Sequence, residues 1–251
     1  MKVLAITGGH SYDAVAFEAF LDSLTCDVER IAHPDVIELV MDGGLDRYDV
    51  TLHYDMPGVR PEPTLPPTGF VERLLARTRT GHGFVVLHHA LASWPRWPMW
   101  AELVGGAYLY RPGSLRGQPW PDSGYRLDVR ERLTSVTPTH PVLKDIPEHF
   151  VLEDETYLCP IFDDEVVPLL RTDAPITDDM HFSSTEALAG RRASRRGWSH
   201  PQGSDLVAWA RQSGASRVVY LQPGDDAKTL GNPVYRRLVR NAVDWVGRRS
   251  G

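Results

Sequence analysis

Short apolar runs and amphipathic segments alternate along the first 110 residues of the chain. Four of these segments are predicted strands: Lys2 to Thr7, Asp27 to Ala32, Tyr48 to Tyr54 and Phe84 to Leu87. The first contains a continuous apolar run, which is typical of a strand that is covered on both faces. Helical periodicity lies between them: one helix is predicted over residues 13–24 with Asp13 as its N-cap, and another begins at a predicted Thr68 cap. Strands that are joined by helices in this order predict βαβ units and a largely parallel sheet.

The pattern changes after residue 110, where further strands follow one another with little helix between them. We expect some of them to be antiparallel additions to the main sheet or to form a small side sheet; they are Tyr125 to Arg130, Val151 to Tyr157, Val166 to Leu170, Asp205 to Ala210 and Arg217 to Leu221. A final helix is predicted to begin at an Asn232 cap, with Pro233 first and Val234, Leu238, Ala242 and Trp245 on one face. Residues 57–67, with five prolines, and residues 189–203 are predicted loops.

Composition and charge narrow the class of protein. The 251 residues are 42% hydrophobic and 24% charged, and we predict a single α/β domain over residues 1–251. A net charge of −6 argues against nucleic acid and anionic membrane surfaces as partners. We find no signal peptide, no apolar stretch near the ~20 residues of a membrane span, and two cysteines, Cys26 and Cys159, expected to be free thiols. The expected location is the cytoplasm.

Polar residues recur where the predicted strands end. The carboxyl ends of parallel strands meet at one edge of a sheet, where such folds bind their ligands. Histidines or carboxylates lie at the ends of four or five of the strands; the polar segments are His10, His53 to Asp55, His88 and His89, residues 153–155, and Asp225 and Asp226. Chance would place polar residues at one or two strand ends, so the recurrence favours a functional site at this edge.

Within this set, Glu155 is the clearest candidate for acid–base chemistry. Strand alternation places Glu155 on the same face as Tyr157, and a carboxylate among aromatic rings has a raised pKa. His88 and His89 leave a strand as neighbours, so we expect one ring to face the site and the other to pack, and a purely structural pair is the alternative. No phosphate-binding glycine loop and no Gly-x-Ser-x-Gly elbow is present, which disfavours nucleotide binding and covalent acyl chemistry.

The three tryptophans after the histidine pair and an arginine-rich segment each allow two interpretations. Trp94, Trp97 and Trp100 follow the histidine pair at a spacing of three, which predicts packing onto the sheet or a flat platform for a sugar that one ring reaches. The arginine-rich run over residues 191–196 predicts a solvated loop or a lid over an anionic or polyhydroxy ligand.

The same segments resemble the ThuA-like (trehalose utilisation) family in order and over nearly the whole chain. The matching pieces are Ile6 to His10, Gly83 to Ala90, Trp100 to Gly106, His140 to Leu143, Asp154 to Tyr157, Tyr220 to Asp225 and Asn232 to Trp245. The resemblance implies a flavodoxin-like, class I glutamine amidotransferase-like three-layer sandwich in which His88 occupies the nucleophile position, so amidotransferase activity is not expected. It also implies disaccharide catabolism through 3-keto sugars made by a partner sugar oxidoreductase, with a bound metal in some members. Many relatives have histidine where this chain has Asp225, which weakens the metal argument.

These observations lead to one expected function and its alternatives. We expect an enzyme that acts on an oxidised (3-keto) glycoside by hydrolysis, elimination or isomerisation. The alternatives are a non-catalytic sugar-binding or regulatory protein and an interaction module. The sequence leaves open whether the protein forms a homo-oligomer. The candidate catalytic residues are His88 and Glu155. Candidate substrate-binding residues are His10, Tyr54, His89, Trp94, Tyr157, Asp225 and Asp226. If a metal is bound, zinc or manganese is favoured, with His10, His88 and Glu155 as candidate ligands.

Overall fold

The computed structural model of the protein describes residues 1–248, so the last three residues of the predicted 1–251 domain lie outside the described part. Within it, the strands are β1 (Lys2–Gly8), β2 (Asp27–Ala32), β3 (Val50–Asp55), β4 (Gly83–Leu87), β5 (Gly113–Leu115), β6 (Gln118–Trp120), β7 (Gly124–Ser135), β8 (His149–Leu158), β9 (Val167–Thr172), β10 (Phe182–Ser183), β11 (Leu206–Ser213) and β12 (Ser216–Leu221). The α-helices are α1 (Ala14–Leu21), α2 (Asp35–Met41), α3 (Thr68–Arg79), α4 (Pro98–Val104), α5 (Ser184–Leu188), α6 (Ala227–Gly231) and α7 (Pro233–Gly247).

Ten of the strands described in residues 1–248 form one sheet. Its parallel part has the order β2-β1-β3-β4-β12, the flavodoxin-like order in which the strand order reverses between β1 and β3. The antiparallel part continues through β11, β9 and β7, and β7 also pairs with β8 and β10. The predicted α/β fold is confirmed, and the predicted late strands extend the main sheet.

Helices cover the parallel strands on both faces. α1 and α7 pack on one face, where Phe17 and Leu238 belong to the same apolar cluster as Val85 of β4. α2, α3 and α4 pack on the other, where Leu74 clusters with Val86. Because both faces of β3 and β4 are covered, all their residues are buried, which explains the continuous apolar run of β4; in β3, buried polar and apolar residues alternate. This three-layer arrangement fixes the strand ends that carry the polar residues.

Two of the three predicted helix caps are present. Oδ1 of Asp13 accepts a hydrogen bond from the Ala16 amide at 2.9 Å, and Oδ1 of Asn232 accepts one from the Val234 amide at 2.9 Å. The third prediction was wrong: Thr68 is the first residue of α3, the N-cap position is Pro67, and no side chain caps this helix.

The structure also corrects helix boundaries and faces. α1 ends at Leu21 instead of Leu24, and α2 was missed because seven residues are too few for a clear helical period. The buried face of α7 is rotated by one position from the prediction, so that Val234 and Trp245 are half-buried at its edges; the buried residues are Tyr235, Leu238, Val239, Ala242, Val243 and Val246.

The remaining predictions on irregular structure agree with the fold. Residues 57–67 and residues 189–203 contain neither helix nor strand. No helix within residues 1–248 has the length and apolar character needed to cross a membrane.

Candidate active site

His88 lies at the end of β4, where the chain turns sharply into a 3₁₀ turn. Its φ of 47° is in the left-handed region, which is unusual for a residue with a side chain and is typical of the strained strand-to-helix turn that presents a catalytic group. The ring is fully buried, and its Nδ1–H donates a hydrogen bond of 2.7 Å to the carbonyl of Gln222, just beyond β12. The hydroxyl of Tyr220 donates to the carbonyl of His88 at 3.1 Å. Two neighbouring strand ends therefore fix the orientation of this imidazole.

The other ring nitrogen of His88 faces two carboxylates and a phenol. Nε2 lies 3.0 Å from Oε2 of Glu155, 2.7 Å from the hydroxyl oxygen of Tyr157 and 3.4 Å from Oδ1 of Asp225. Burial alone would lower the pKa of His88, but its hydrogen bonds to Asp225 and Glu155 raise that pKa well above the ordinary value. His88 is therefore an imidazolium at neutral pH, held between two carboxylates.

The two carboxylates beside His88 have opposite pKa shifts. Burial raises the pKa of Glu155, and the attraction of His88 offsets only part of that rise. Burial also acts to raise the pKa of Asp225, but the hydrogen bond to His88 and the positive charge of that ring lower it. The side chains of Glu155 and Asp225 are 13% and 32% exposed, so both reach the surface of the site. This divergence makes Glu155 the better proton acceptor and keeps Asp225 ionised.

Asp154 holds both carboxylates in place, although strand alternation directs it away from Glu155. Its Oδ2 accepts a hydrogen bond from the Gly224 amide at 2.7 Å. Its Oδ1 accepts one from the Glu155 amide at 2.7 Å and one from the Asp225 amide at 3.1 Å. Asp154 thus joins the middle of β8 to the turn after β12. Asp154 is not among the candidate site residues predicted from the sequence, because nothing local marks this long-range contact.

The turn after β12 requires glycine at position 224. Gly224 has a φ of +137°, and a Cβ built there would lie 2.6 Å from the hydroxyl oxygen of Tyr235. Its carbonyl accepts a hydrogen bond of 2.7 Å from the hydroxyl of Tyr54, so this predicted substrate-binding phenol supports the turn. The predicted residue Asp226 caps α6, because its Oδ1 accepts from the amides of Lys228 and Thr229 at 2.8 and 3.0 Å.

His10 and His89 form a second layer beside His88. Gly9 allows the loop after β1 to fold over β3, since a Cβ there would lie 2.3 Å from the carbonyl oxygen of Met56. The rings of His10 and His89 lie 4.6 Å apart, and Nε2–H of His89 donates to the Tyr54 carbonyl at 3.2 Å. Burial and the positive His88 lower the pKa of both, that of His89 well below its ordinary value. Both are therefore neutral, and within the described residues the buried Nδ1 atom of each has no hydrogen-bond partner.

The rings of His88 and His89 do not follow the alternation expected of neighbouring strand residues. Because β4 ends at Leu87, both belong to the 3₁₀ turn, and their ring centroids are 5.5 Å apart with planes at 87°. One contacts the carboxylates and the other contacts His10, so they lie on adjoining sides of the same site.

The three tryptophans are buried, with exposures of 6%, 7% and 3% for Trp94, Trp97 and Trp100. The ring of Trp94 lies 5.9 Å from that of His33 and 6.0 Å from that of Phe70, beneath the loop of residues 57–67. Trp100 donates its indole N–H to the carbonyl of Ala90 at 2.9 Å. These contacts are those of packing residues, and the structure does not bring Trp94 together with the carboxylates.

A donor set suited to a divalent cation coincides with this cluster. One ligand atom each from His88, Glu155 and Asp225 lie within 4.8 Å of one another, and these residues are the group that the described chain offers to a metal. The structure places Asp225, and not the predicted His10, in that group. Adjacent ligand atoms around a transition-metal ion are roughly 3.0–3.4 Å apart, which matches the separations of Nε2 from the two carboxylates, so the residues fit such an ion.

The comparisons with known proteins agree with this fold. A family model described as trehalose utilisation, ThuA, matches residues 2–246. A ThuA-like protein from Parabacteroides merdae is 15% identical over 98% of this chain and 90% of its own, with a TM-score of 0.71. A cytoplasmic protein from Salmonella typhimurium is 12% identical over 98% and 99%, with a TM-score of 0.58. No curated protein sequence matches the chain.

An amidotransferase-type relative is also similar in fold. It is described as a GMP synthase protein from Thermoplasma acidophilum and is 8% identical over 97% of this chain and 92% of its own, with a TM-score of 0.53. At such identities these likenesses establish the fold alone, and they confirm the predicted flavodoxin-like, amidotransferase-like architecture.

Proposed function

The chain belongs to the ThuA (trehalose utilisation) family, and we propose that it is a cytoplasmic enzyme acting on an oxidised, 3-keto glycoside. The observation that carries this proposal is the contact of His88 Nε2 with both Glu155, at 3.0 Å, and Tyr157, at 2.7 Å. Removal of a proton next to a ketone needs a base and a donor for the developing enolate oxygen. This cluster supplies both on one surface.

The proposed first step is the same for elimination and isomerisation. Glu155 accepts the proton from the carbon next to the ketone, and the electron pair of the broken C–H bond forms a C=C bond as the carbonyl oxygen becomes an enolate. While His88 is an imidazolium, the oxygen of Tyr157 accepts from Nε2–H, so its own O–H is free to donate to that enolate oxygen. Burial and the nearby Glu155 raise the pKa of Tyr157 well above its ordinary value, which keeps the phenol protonated.

Elimination would then break the glycosidic bond. The enolate reforms the ketone as the bond to the leaving oxygen breaks, and the imidazolium of His88 donates its Nε2 proton to that oxygen. Glu155 returns its proton to His88, which restores both groups. Addition of water to the resulting double bond gives net hydrolysis, whereas return of the proton to another face or carbon gives isomerisation.

Amidotransferase chemistry is not part of this proposal. The position of the nucleophile at the end of β4 holds His88. Burial raises the pKa of Cys159 to about 12, which keeps it a thiol. Cys26 lies just before β2, at the opposite edge of the parallel strands. Since the substrate must be a ketone, a sugar oxidoreductase has to supply it, and we propose a functional link to such an enzyme.

The candidate cation site offers an alternative electrophile to the Nε2 proton of His88. His88, Glu155 and Asp225 would hold a zinc or manganese ion, which would supply Lewis-acid polarisation of the ketone oxygen. The ion and the Nε2 proton of His88 compete for the same lone pair, so the metal-bound form and the proton-donating form exclude each other.

A proton NMR time course with 3-keto-trehalose and with trehalose tests the proposal. We expect new product signals from the ketone alone, slowed by at least about 100-fold in Glu155→Gln and in His88→Gln. Glu153→Gln is the matched control, because Glu153 is the exposed neighbour that pairs with Lys228. Unchanged turnover in both variants would refute the assignment, and line broadening without product would favour the non-catalytic sugar-binding protein.

A further inference from the structure

A groove of about 540 Å³ opens beside the aromatic wall of the candidate active site. It is lined by Arg60, Pro61, Arg111, Thr185, Leu188 and Ala189. Two arginines and a threonine are thus among its lining residues, and none of these residues is acidic, in a chain whose net charge is −6. Three separate segments build this groove: the proline-rich loop, the residues after α4, and α5 with the start of the 189–203 loop.

A row of aromatic rings in contact joins this groove to His88. The ring of Tyr157 lies 4.9 Å from that of His88 and 4.5 Å from that of Tyr108, and Tyr108 lies 5.1 Å from Tyr110. The hydroxyl of Thr185, a lining residue of the groove, donates to the carbonyl of Tyr110 at 3.2 Å. A substrate whose ketone lies at His88 would therefore extend along the tyrosine wall toward the groove.

Within residues 1–248, the two arginines of the groove have one exposed ion pair between them. No carboxylate of residues 1–248 forms an ion pair with Arg60, and Arg111 lies 3.5 Å from Glu62, a pair in which both side chains are largely exposed. By contrast, Arg191, at the start of the neighbouring loop, forms a two-point ion pair with Glu186. The field of Arg60 also reaches the site: after burial and His88, it contributes to the lowered pKa of His10.

The charges at the two ends of this path are opposite. Glu155 and Asp225 at the catalytic end would repel an anionic substituent, whereas Arg60 and Arg111 at the groove end would attract one. Guanidinium groups match carboxylate and phosphate oxygens in geometry as well as in charge. A neutral sugar would gain nothing from this separation of charge.

We propose that this groove binds a carboxylate or phosphate carried by the part of the glycoside that lies away from the ketone, so that the natural substrate is an acidic glycoside. This inference rests on the proposed function for the orientation of the substrate, but the groove itself is tested by binding alone.

Isothermal titration calorimetry with three sugars tests the groove: methyl α-D-glucuronide, α-D-glucose 1-phosphate and the neutral methyl α-D-glucoside. We expect at least one charged sugar to bind about ten times more tightly than the neutral one at low ionic strength, and this preference to shrink in 0.5 M salt. Arg60→Gln and Arg111→Gln should each reduce the preference, and the double variant should remove it. Arg79→Gln, an exposed arginine at the far end of α3, is the matched control and should leave it unchanged.

Equal affinities for the three sugars would overturn the proposal, as would a charge preference that survives in the double variant or no binding of any sugar up to about 20 mM. The stronger of the two charged probes identifies the anion as carboxylate or phosphate. The calorimetry measures binding and no turnover. Its outcome therefore does not depend on whether the NMR time course with 3-keto-trehalose shows a reaction.

Discussion

Asp154 and Gly224 are 70 residues apart in sequence, and one hydrogen bond of 2.7 Å joins the carboxylate of the first to the amide of the second. Through it, the middle of an antiparallel strand is fastened to the end of a parallel one. Glu155 follows Asp154 on β8 and Asp225 follows Gly224 in the turn, so the bond brings the two carboxylates to the same ring nitrogen of His88. The geometry of the candidate active site depends on this contact more than on any single strand end.

We expect Asp154→Ala to lower kcat on the keto substrate by about 10- to 100-fold with little change in KM. The variant loses the acceptor for three amides, so Glu155 and Asp225 are no longer held against His88, while the surface that binds the sugar is retained. Asp154→Asn keeps one acceptor oxygen and should recover part of the activity. Steady-state kinetics of both variants, with Glu153→Ala as control, measure this. Wild-type kcat in Asp154→Ala would show that the turn holds its position without the carboxylate.

Gly224→Ala should destabilise the fold by about 2–4 kcal/mol, because it combines a strained positive φ with a contact between Cβ and the Tyr235 hydroxyl. Tyr235→Phe removes that oxygen and its hydrogen bond of 2.8 Å to the Pro223 carbonyl, which alone costs about 1 kcal/mol. In the double variant the steric part disappears, so the combined loss should be smaller than the sum of the two single losses. Urea unfolding of the wild type, the two single variants and the double variant measures the coupling energy between the two positions. Strictly additive losses would mean that Gly224→Ala destabilises the fold through its backbone strain alone.

The sequence predicted the parallel half of the sheet well, because β1 and β4, which are covered on both faces, have continuous apolar runs and the helices α1 and α3 have clear periods. It placed His88 and Asp225 at the same edge by the rule that parallel strands end together. It also placed the carboxylates of residues 153–155 at that edge, but it did not identify Asp154 as the residue that holds Glu155 and Asp225, because antiparallel strands follow no such rule and the contact of Asp154 with Gly224 is long-range. The Arg60 and Arg111 groove was missed for the same reason, because its residues come from segments about 50 or more positions apart.

The buried carboxyl group of Glu131 should make the free energy of unfolding depend on pH. Its side chain is buried in β7, and burial, with added repulsion from Asp154 and Asp173, raises its pKa to about 7 from 4.5. A folded-state pKa above the unfolded one gives a stabilising contribution that is complete below about pH 4.5 and is lost as the pH rises through 7. We therefore expect the free energy of unfolding to fall between pH 5 and 8, by on the order of 3 kcal/mol for this group.

Glu131→Gln removes this titration and should flatten the decline. Urea unfolding at pH 5, 6.5 and 8 compares the two proteins, and the variant should be the more stable at pH 8. Parallel pH profiles of the wild type and the variant would show that Glu131 titrates normally.

The carboxylate of Asp55 should make the free energy of unfolding depend on pH in the opposite direction. Its two oxygens lie 2.9 Å from Nε2 of His33 and 3.0 Å from Nδ1 of His53. Burial would raise the pKa of Asp55, but these two histidines lower it well below the ordinary value. Its contribution is present above the unfolded pKa of about 4 and is lost as the pH falls below it. We expect Asp55→Asn to cost about 3 kcal/mol at pH 7, and the difference from wild type to shrink below pH 4, as measured by thermal unfolding. A constant difference at all pH values would mean that packing, and not charge, is lost.

Zinc should bind to His88, Glu155 and Asp225 and inhibit turnover. The metal needs the lone pair of Nε2, which carries a proton in the proposed mechanism, so binding must release that proton and weaken as the pH falls. We expect added Zn²⁺ to raise the melting temperature of the wild type but not of Glu155→Gln, with proton release measured by calorimetry in buffers of different ionisation enthalpy. Enzyme treated with EDTA should keep full activity toward the keto substrate. Loss of activity on EDTA treatment, restored by manganese or zinc, would instead make the cation the electrophile and refute the role of His88 as a proton donor.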